Sequence, residues 1–356
     1  MTDAPADAAP DADPPQDRPP VTLAVKTYRQ ADLAERAVRS AFAQTYAPLE
    51  ILLSDDASPD GTYALLERLA AEYDGPHRVR LNRNPRNLGV VGHENRMWEL
   101  ATGRLMAQCA GDDIAEPDRI ERLVAAWRAG QGGEADGDVM LVHSSVMQID
   151  GAGRPLGLRA PKPEIVADPS PANVLRAETN CIGATALYDR RLWERFGPIP
   201  LECGVEDGPM FFRAGLLGRI AYVDAPLVRY AVDGLSRSDA TRRGVFHLRG
   251  SRILSAAWWH ANAGSFLRDL ARMPPTPERE ALRQAAQALR ERDAVELRVW
   301  RASPLGRWAL LPWAAWRGWR AGDATLPVKA LKQALGRVYI WWYTRRWGDS
   351  WEPTDP

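Results

Sequence analysis

Leu105-Met106-Ala107-Gln108-Cys109-Ala110-Gly111-Asp112-Asp113-Ile114 is the stretch whose reading decides the fold. Its apolar opening is short and bounded, the pattern of a buried strand, and it stops at two adjacent carboxylates. Glu116-Pro117-Asp118-Arg119 follows and reads as the start of a helix, with Pro117 near the first helical position. In an open α/β sheet, ligands sit just beyond the carboxyl ends of the strands. Asp112 and Asp113 therefore fall where a phosphate-bearing substrate and its metal would be held, and hard carboxylate oxygens suit Mg²⁺ or Mn²⁺. The same two acids read equally well as a helix cap and a solvated side chain.

Working outward, strand, loop and helix recur upstream. Residues 21–25 are β-prone and run into the loop Lys26-Thr27-Tyr28-Arg29-Gln30. Leu33, Ala37, Val38, Ala41 and Phe42 then share one face of a helix over 32–46. A second buried strand over 49–54 ends in Asp55-Asp56-Ala57-Ser58-Pro59-Asp60-Gly61-Thr62 and leads to a helix over 63–73. A short strand over 79–82, the loop Asn84-Pro85-Arg86-Asn87-Leu88-Gly89 and a helix to Ala101 complete the series. The alternation predicts an α/β fold with a mostly parallel sheet flanked by helices. Asp55/Asp56 and Asp112/Asp113 then lie along one sheet edge. One carboxylate there can accept from a nucleobase N–H or a ribose hydroxyl, and another can hold the metal that neutralises a diphosphate. Ser58 and Asp60 read as turn and cap residues. No G-x-G-x-x-G or P-loop pattern occurs, which argues against a dinucleotide or Walker-type site.

Downstream, the pattern predicts a helix over 118–127 and strands over 139–145 and 146–150. A turn at Asp150-Gly151-Ala152-Gly153 and a mobile loop over 152–172 come next. His143 reads as a partly buried strand residue rather than a ligand. A strand over 180–188 is followed by Glu206-Asp207 at a helix start, strands over 219–223 and 227–230, and helices over 241–272 and 276–300. The chain has 356 residues, 45% of them hydrophobic, and no formal net charge, so whole-chain charge does not point to nucleic acid. Cys109, Cys181 and Cys203 lack metal-type spacing and cannot all pair, which suggests a reducing compartment. The first twenty residues are mostly Asp, Ala and Pro and read as a flexible tail, not a secretory signal. No run of eighteen apolar residues occurs, so no spanning helix is expected. Nine of the fourteen tryptophans lie between 300 and 351 among many Arg and Lys. Basic amphipathic helices with Trp suit a bilayer surface carrying anionic lipid; packing on the rest of the chain is the alternative.

Thr27-Tyr28, the run from Ser54 to Thr62, Asn84-Pro85-Arg86-Asn87-Leu88-Gly89, Asn95, Ala101-Thr102-Gly103 and Gly111-Asp112-Asp113 stand in the order seen in family 2 glycosyltransferases. The chain resembles that family over about residues 20–237. The resemblance implies a GT-A fold over 21–237, after the tail over 1–20. A helical extension over 238–300 and the Trp/Arg-rich region over 301–356 would follow. It also implies a nucleotide-sugar donor, a divalent metal and inversion at the anomeric carbon. By the same resemblance, Thr27, Tyr28, Asn87, Gly89 and Asn95 line the nucleotide side, and Asp56, helped by Asp55, binds the base. Asp112 lies near the ribose and joins Asp113 at Mg²⁺ or Mn²⁺. Glu206-Asp207 resembles the family's Glu-Asp pair, in which Glu206 contributes to the donor site and Asp207 is the general base. Two departures stand out: Ala110 replaces a frequent Asp, and Asp233 replaces a His where a further metal ligand is expected. The implied partner is a glycan or lipid-linked acceptor; the Trp/Arg-rich region, outside the resemblance, adds the inner face of the cytoplasmic membrane as a candidate surface. The implied role is cell-surface polysaccharide synthesis. The rival reading is a non-catalytic carbohydrate- or membrane-associated scaffold on the same fold.

Overall fold

The computed structural model describes residues 18–132, 137–176, 182–232, 249–302 and 304–320. Asp233, residues 180–181, most of the flexible-tail expectation and the segment beyond 320 lie outside the described residues.

β1 (Val21–Thr27), α1 (Ala34–Phe42), β2 (Leu49–Asp55), α2 (Thr62–Glu72), β3 (Arg78–Arg83), α3 (Gly89–Leu100) and β4 (Leu105–Ala110) follow in sequence. β1 pairs parallel with both β2 and β4, and β2 with β3. β2 is buried along its whole length and β1 everywhere but Lys26, which is why both read as apolar runs rather than alternations. On α1, Ala34, Ala37, Val38 and Ala41 are buried in the core that the strands form with Leu66 and Leu69 of α2. Register brings the strand ends level: Thr27 pairs with Asp55, and Lys26 with both Ser54 and Ala110.

The second half comprises β5 (Ile114–Ala115), α4 (Arg119–Ala129), β6 (Val139–Ile149), β7 (Pro155–Arg159), α5 (Pro163–Ala167), α6 (Pro171–Leu175), a 3₁₀ turn at Gly183–Thr185, β8 (Leu187–Asp189), α7 (Arg191–Phe196), α8 (Asp207–Leu217) and β9 (Arg219–Ala231). The sheet order is β3-β2-β1-β4-β8-β6-β9-β5, with β7 on β6. β8 joins the two halves, antiparallel to both β4 and β6, whereas β6 and β9 run parallel.

Four expectations change. The two strands expected over 139–150 are one strand. Those over 219–230 are also one, with register shifts at Ser144/Ser145 and Ser145/Val146, opposite the Pro226 region, in place of a break. The region over 152–172 is not a structureless loop. Pro155–Arg159 returns along β6 through the turn at Asp150, whose carboxylate accepts from the Ala152 and Arg154 amides. Pro163 and Pro171 each open a short helix, where a missing N–H costs nothing. Among the described residues, the strand expected over 180–188 is confined to Leu187–Asp189, because 183–185 turns as a 3₁₀ helix.

The chain divides into two compact units, Met1–Pro169 with Thr179–Pro198 and Leu217–Val232, and Ser170–Glu178 with Ile199–Leu216 and Asp233–Pro356. In the second, α9 (Arg249–Ala271), α10 (Pro277–Arg301) and α11 (Pro304–Arg320) are helical. Thr276 caps α10 by accepting from the Arg279 amide at 3.2 Å. Val295 and Val299 of α10 pack with Ala314 of α11. α9 is tied to α8 by a buried ion pair, Arg213 Nε to Asp269 Oδ2 at 2.9 Å, and by Phe212 against Phe266, ring centroids 4.4 Å apart.

Candidate active site

The carboxyl ends of β1, β2 and β4 form one edge, and its loops are bonded to one another. The Asp56 amide donates to Thr27 O at 3.0 Å, and the Gly111 amide donates to Lys26 O at 2.8 Å. Thr27 is buried and its hydroxyl donates to Ser54 O at 3.0 Å. Tyr28 beside it is exposed. A Cβ on Gly111 would overlap Gln30 Oε1 and stand 2.8 Å from Thr27 Cγ2, so the β4 end approaches the β1 loop only as glycine. Arg29 and Ala57, both non-glycine, adopt left-handed backbone with φ of 56° and 59°. Such strain collects where surrounding structure fixes a loop for function.

Asp55 and Asp56 are both buried and do different work. Asp55 holds its own turn, accepting from the Ser58 amide at 2.8 Å and from the Ser58 hydroxyl. Asp56 reaches across to the next loop. Its Oδ1 accepts from Asn84 Nδ2 at 2.8 Å and the Leu88 amide at 2.9 Å, and its Oδ2 from the Gly89 amide at 3.0 Å. Asn87 joins in, donating to Asp56 O at 3.4 Å and accepting from Gly89 N at 3.1 Å. Asp56 therefore sits on the N-terminus of α3, where orphan amides and the dipole favour an anion. Ser58 and Asp60 take the turn roles expected of them, Asp60 accepting from the Thr62 amide at 3.1 Å. Asn95 is buried on α3, one position from Glu94, which with Gln108 receives Lys26 Nζ at 2.8 Å each.

Asp113 is the acid that stands out. It is 1% exposed, its Oδ1 accepts from the Ala231 amide at 2.9 Å, and its Oδ2 is buried with no hydrogen-bond partner. Burial first, and then the charge of neighbouring Asp112, push its carboxyl well above the ordinary carboxylate range. An orphaned, desolvated carboxylate oxygen beside a second acid is a donor set that a divalent cation satisfies. Among the described residues no cluster of three or more His, Cys, Asp or Glu could hold a metal. Two carboxylates with remaining positions taken by substrate phosphates is the arrangement Mg²⁺ favours. Cys109, one strand residue before Ala110, is a buried thiol pushed up to about 12, inert toward metal or substrate.

Sequence reading did not single out Arg119 as part of this region. It is fully buried in the first turn of α4, with Nη2 donating to Ala184 O at 2.7 Å and Ala186 O at 3.5 Å. Its Nε and Nη1 have no partner. Ala184 lies within the 3₁₀ turn and Ala186 directly precedes β8, so Arg119 holds the backbone that leads into that strand. Arg119 also acts electrostatically on Asp113, lowering its pKa against the larger effect of burial. Its sequence signal was a cation in the first helical turn, against the dipole.

In the second unit, Asp207 opens α8, partly buried, directly after the buried Glu206, whose carbonyl accepts from the Met210 amide at 3.0 Å.

The architecture matches that of solved nucleotide-sugar enzymes. A mannosyltransferase from Pyrobaculum calidifontis in complex with GDP-Man and Mn²⁺ aligns with a TM-score of 0.54 at 20% identity, over 91% of this chain and 88% of that one. S. aureus TarS 1–349 in complex with UDP-GlcNAc aligns at 0.50 and 15% identity, over 93% of each. The fold is GT-A, the class of nucleotide-diphospho-sugar transferases. The Glycosyl transferase family 2 model matches residues 22–195. The succinoglycan biosynthesis protein ExoO of Rhizobium meliloti is 30% identical over 272 residues, 66% of this chain and 74% of that protein. The putative glycosyltransferase EpsE of Bacillus subtilis is 29% identical over 153 residues, 43% of this chain and 53% of that protein. The chain belongs to glycosyl transferase family 2 and is a glycosyltransferase.

Proposed function

We propose that the protein transfers a sugar from a nucleotide-diphosphate donor to a hydroxyl of a glycan or lipid-linked acceptor, with inversion and with a divalent cation, in the synthesis of a cell-surface polysaccharide. The observation that carries this reading is the orphaned Oδ2 of Asp113 at the carboxyl end of β4. Support for the donor class comes from neighbours solved with GDP-Man and Mn²⁺ and with UDP-GlcNAc. Support for the pathway class comes from a relative named for succinoglycan biosynthesis.

In this reading Thr27, Tyr28, Asn87, Gly89, Asn95 and Asp56, with Asp55 fixing the loop, bind the nucleoside. Asp113 and Asp112 would hold Mg²⁺ or Mn²⁺, and Asp233 is a further candidate ligand. When bound, the cation neutralises the charge that builds on the departing diphosphate. Asp207 takes the proton from the acceptor hydroxyl as its oxygen attacks the anomeric carbon from the side opposite the diphosphate. Glu206 beside it contributes to the donor site. One displacement with one base gives inversion.

Asp207→Asn separates chemistry from binding. Acceptor-dependent nucleotide release from UDP- and GDP-sugars, with membrane extract supplying acceptors, should fall by on the order of 10²–10⁴. Nucleotide affinity should stay within about twofold. Undiminished release would remove the general-base role.

We also propose that α11 rests on the cytoplasmic face of a bilayer. Trp316 and Trp319 are 47% and 79% exposed, Arg317 and Arg320 lie in the same last turn, and the helix carries no acid. Among the described residues no helix is long and apolar enough to cross a membrane.

A further inference from the structure

The contacts between α9 and the segment that opens α8 form a regular ladder within the second unit. Asp269 meets Arg213, Phe266 meets Phe212, and a Cβ on Gly208 would stand 3.4 Å from Asn262 Nδ2. One more turn back along α9, a Cβ on Gly204 would overlap Cγ, Cδ2 and Cε2 of the Trp258 indole. These α9 positions recur at three- and four-residue intervals, so one helix face follows the chain from 213 down to 204. The lower rungs are closed: Asp269, Phe266 and Asn262 are all buried. The last is open. Trp258 is 38% exposed, as is Val205, and Leu201 is exposed too. A large aromatic ring is thus pinned against backbone three residues before Asp207 and left facing solvent.

The segment it packs on carries its own charge, offset at Cys203 by Arg268 and by the Asp269-paired Arg213, and that charge bears on the occupant. Glu202, Glu206 and Asp207 put three acids and no base into Leu201-Glu202-Cys203-Gly204-Val205-Glu206-Asp207. Anionic lipid and nucleic acid are repelled by that set. A neutral pyranose is not; its apolar C–H face stacks on an indole, and its hydroxyls suit nearby carboxylates. We infer that Trp258 is the wall of the acceptor-sugar subsite, holding the ring of a terminal pyranose so that one hydroxyl falls to Asp207. The rigid ladder below it makes that wall preformed, which limits the ordering cost of binding. This inference rests on the transferase reading above and names the acceptor's chemistry, a pyranose ring rather than a bare lipid phosphate.

The test is saturation-transfer NMR on the full-length protein with methyl β-glucopyranoside, methyl β-galactopyranoside and cellobiose as probes. UDP and GDP with Mn²⁺ are titrated into the same samples. Wild type should bind at least one pyranoside. Trp258→Ala should weaken it about tenfold or more, and Trp258→Phe, which keeps an aromatic face, should fall between them. Thermal unfolding of each variant shows whether the ladder survives. If Trp258→Ala unfolds, the Trp258→Phe comparison decides. Nucleotide binding with no pyranoside bound to wild type, or with an affinity that neither substitution alters, overturns the inference and leaves the transferase reading standing. Failure of wild type to bind any nucleotide overturns the reading beneath it.

Discussion

Asp56 and Asp113 are buried acids of one sheet edge, and their surroundings differ in kind. Asp56 has both oxygens engaged by amides and Asn84, so its loop is set before any ligand arrives. Asp113 keeps one oxygen unsatisfied. A pairing of satisfied and unsatisfied carboxylates separates the group that shapes the site from the group that, in the proposed function, would hold a cation. His143 shows the same logic away from the site. Burial on β6 pushes its imidazole down to about 4 from the ordinary 6.5. Below pH 6.5 the unfolded chain takes up a proton that the native protein refuses until about pH 4. Stability therefore falls as pH drops through that window, by roughly 3 kcal/mol in all for this one group, and is unaffected by it above the window. Urea midpoints from pH 7 to 4.5 should decline more steeply in wild type than in His143→Phe. Equal slopes would show that the imidazole titrates normally. The residue types were legible in sequence: Asp55, Asp56, Asp112 and Asp113 were placed at strand ends by pattern alone. Their division of labour was not, because it depends on which amide each oxygen meets.

At the scale of elements, the parallel strands β1, β2 and β4 were readable because strands buried on both faces leave continuous apolar runs bounded by turn residues, whereas β3 is a half-exposed edge strand. The mixed half, β5 to β9, was less so. The 183–185 turn stands where a strand was expected, and Arg119, distant in sequence, binds the Ala184 carbonyl within it and the Ala186 carbonyl just after it. β7, α5 and α6 hid in a Pro-rich segment whose prolines open helices instead of breaking them. α11 was read only as part of a Trp/Arg-rich stretch, and its burial pattern now divides it. Ala314 packs on α10, while Trp316 and Trp319 face outward with the Arg320 guanidinium 5.2 Å from the Trp316 ring. Replacing Trp316 and Trp319 together by Ser leaves the Ala314 contact intact. That double variant should float with phosphatidylglycerol-containing vesicles at least about threefold less than wild type. Equal flotation would assign those tryptophans another purpose.

At the scale of the whole molecule, one unit carries the sheet with Asp56 and Asp113, and the other carries Asp207, Trp258 and the C-terminal helices. In the proposed function, Asp56 and Asp113 of the first unit serve the donor and its cation, and Asp207 of the second serves the acceptor. The split interleaves in sequence, since 170–178 and 199–216 belong with the C-terminal helices. The central claim is that Asp113 waits for a cation and a nucleotide together. Calorimetric titration with UDP, GDP and CMP, each with and without Mn²⁺, tests it most directly. The account predicts that one nucleotide binds, that Mn²⁺ tightens it by about tenfold or more, and that Asp113→Ala abolishes the metal dependence. Nucleotide binding of equal strength with and without Mn²⁺, unchanged in Asp113→Ala, would contradict it.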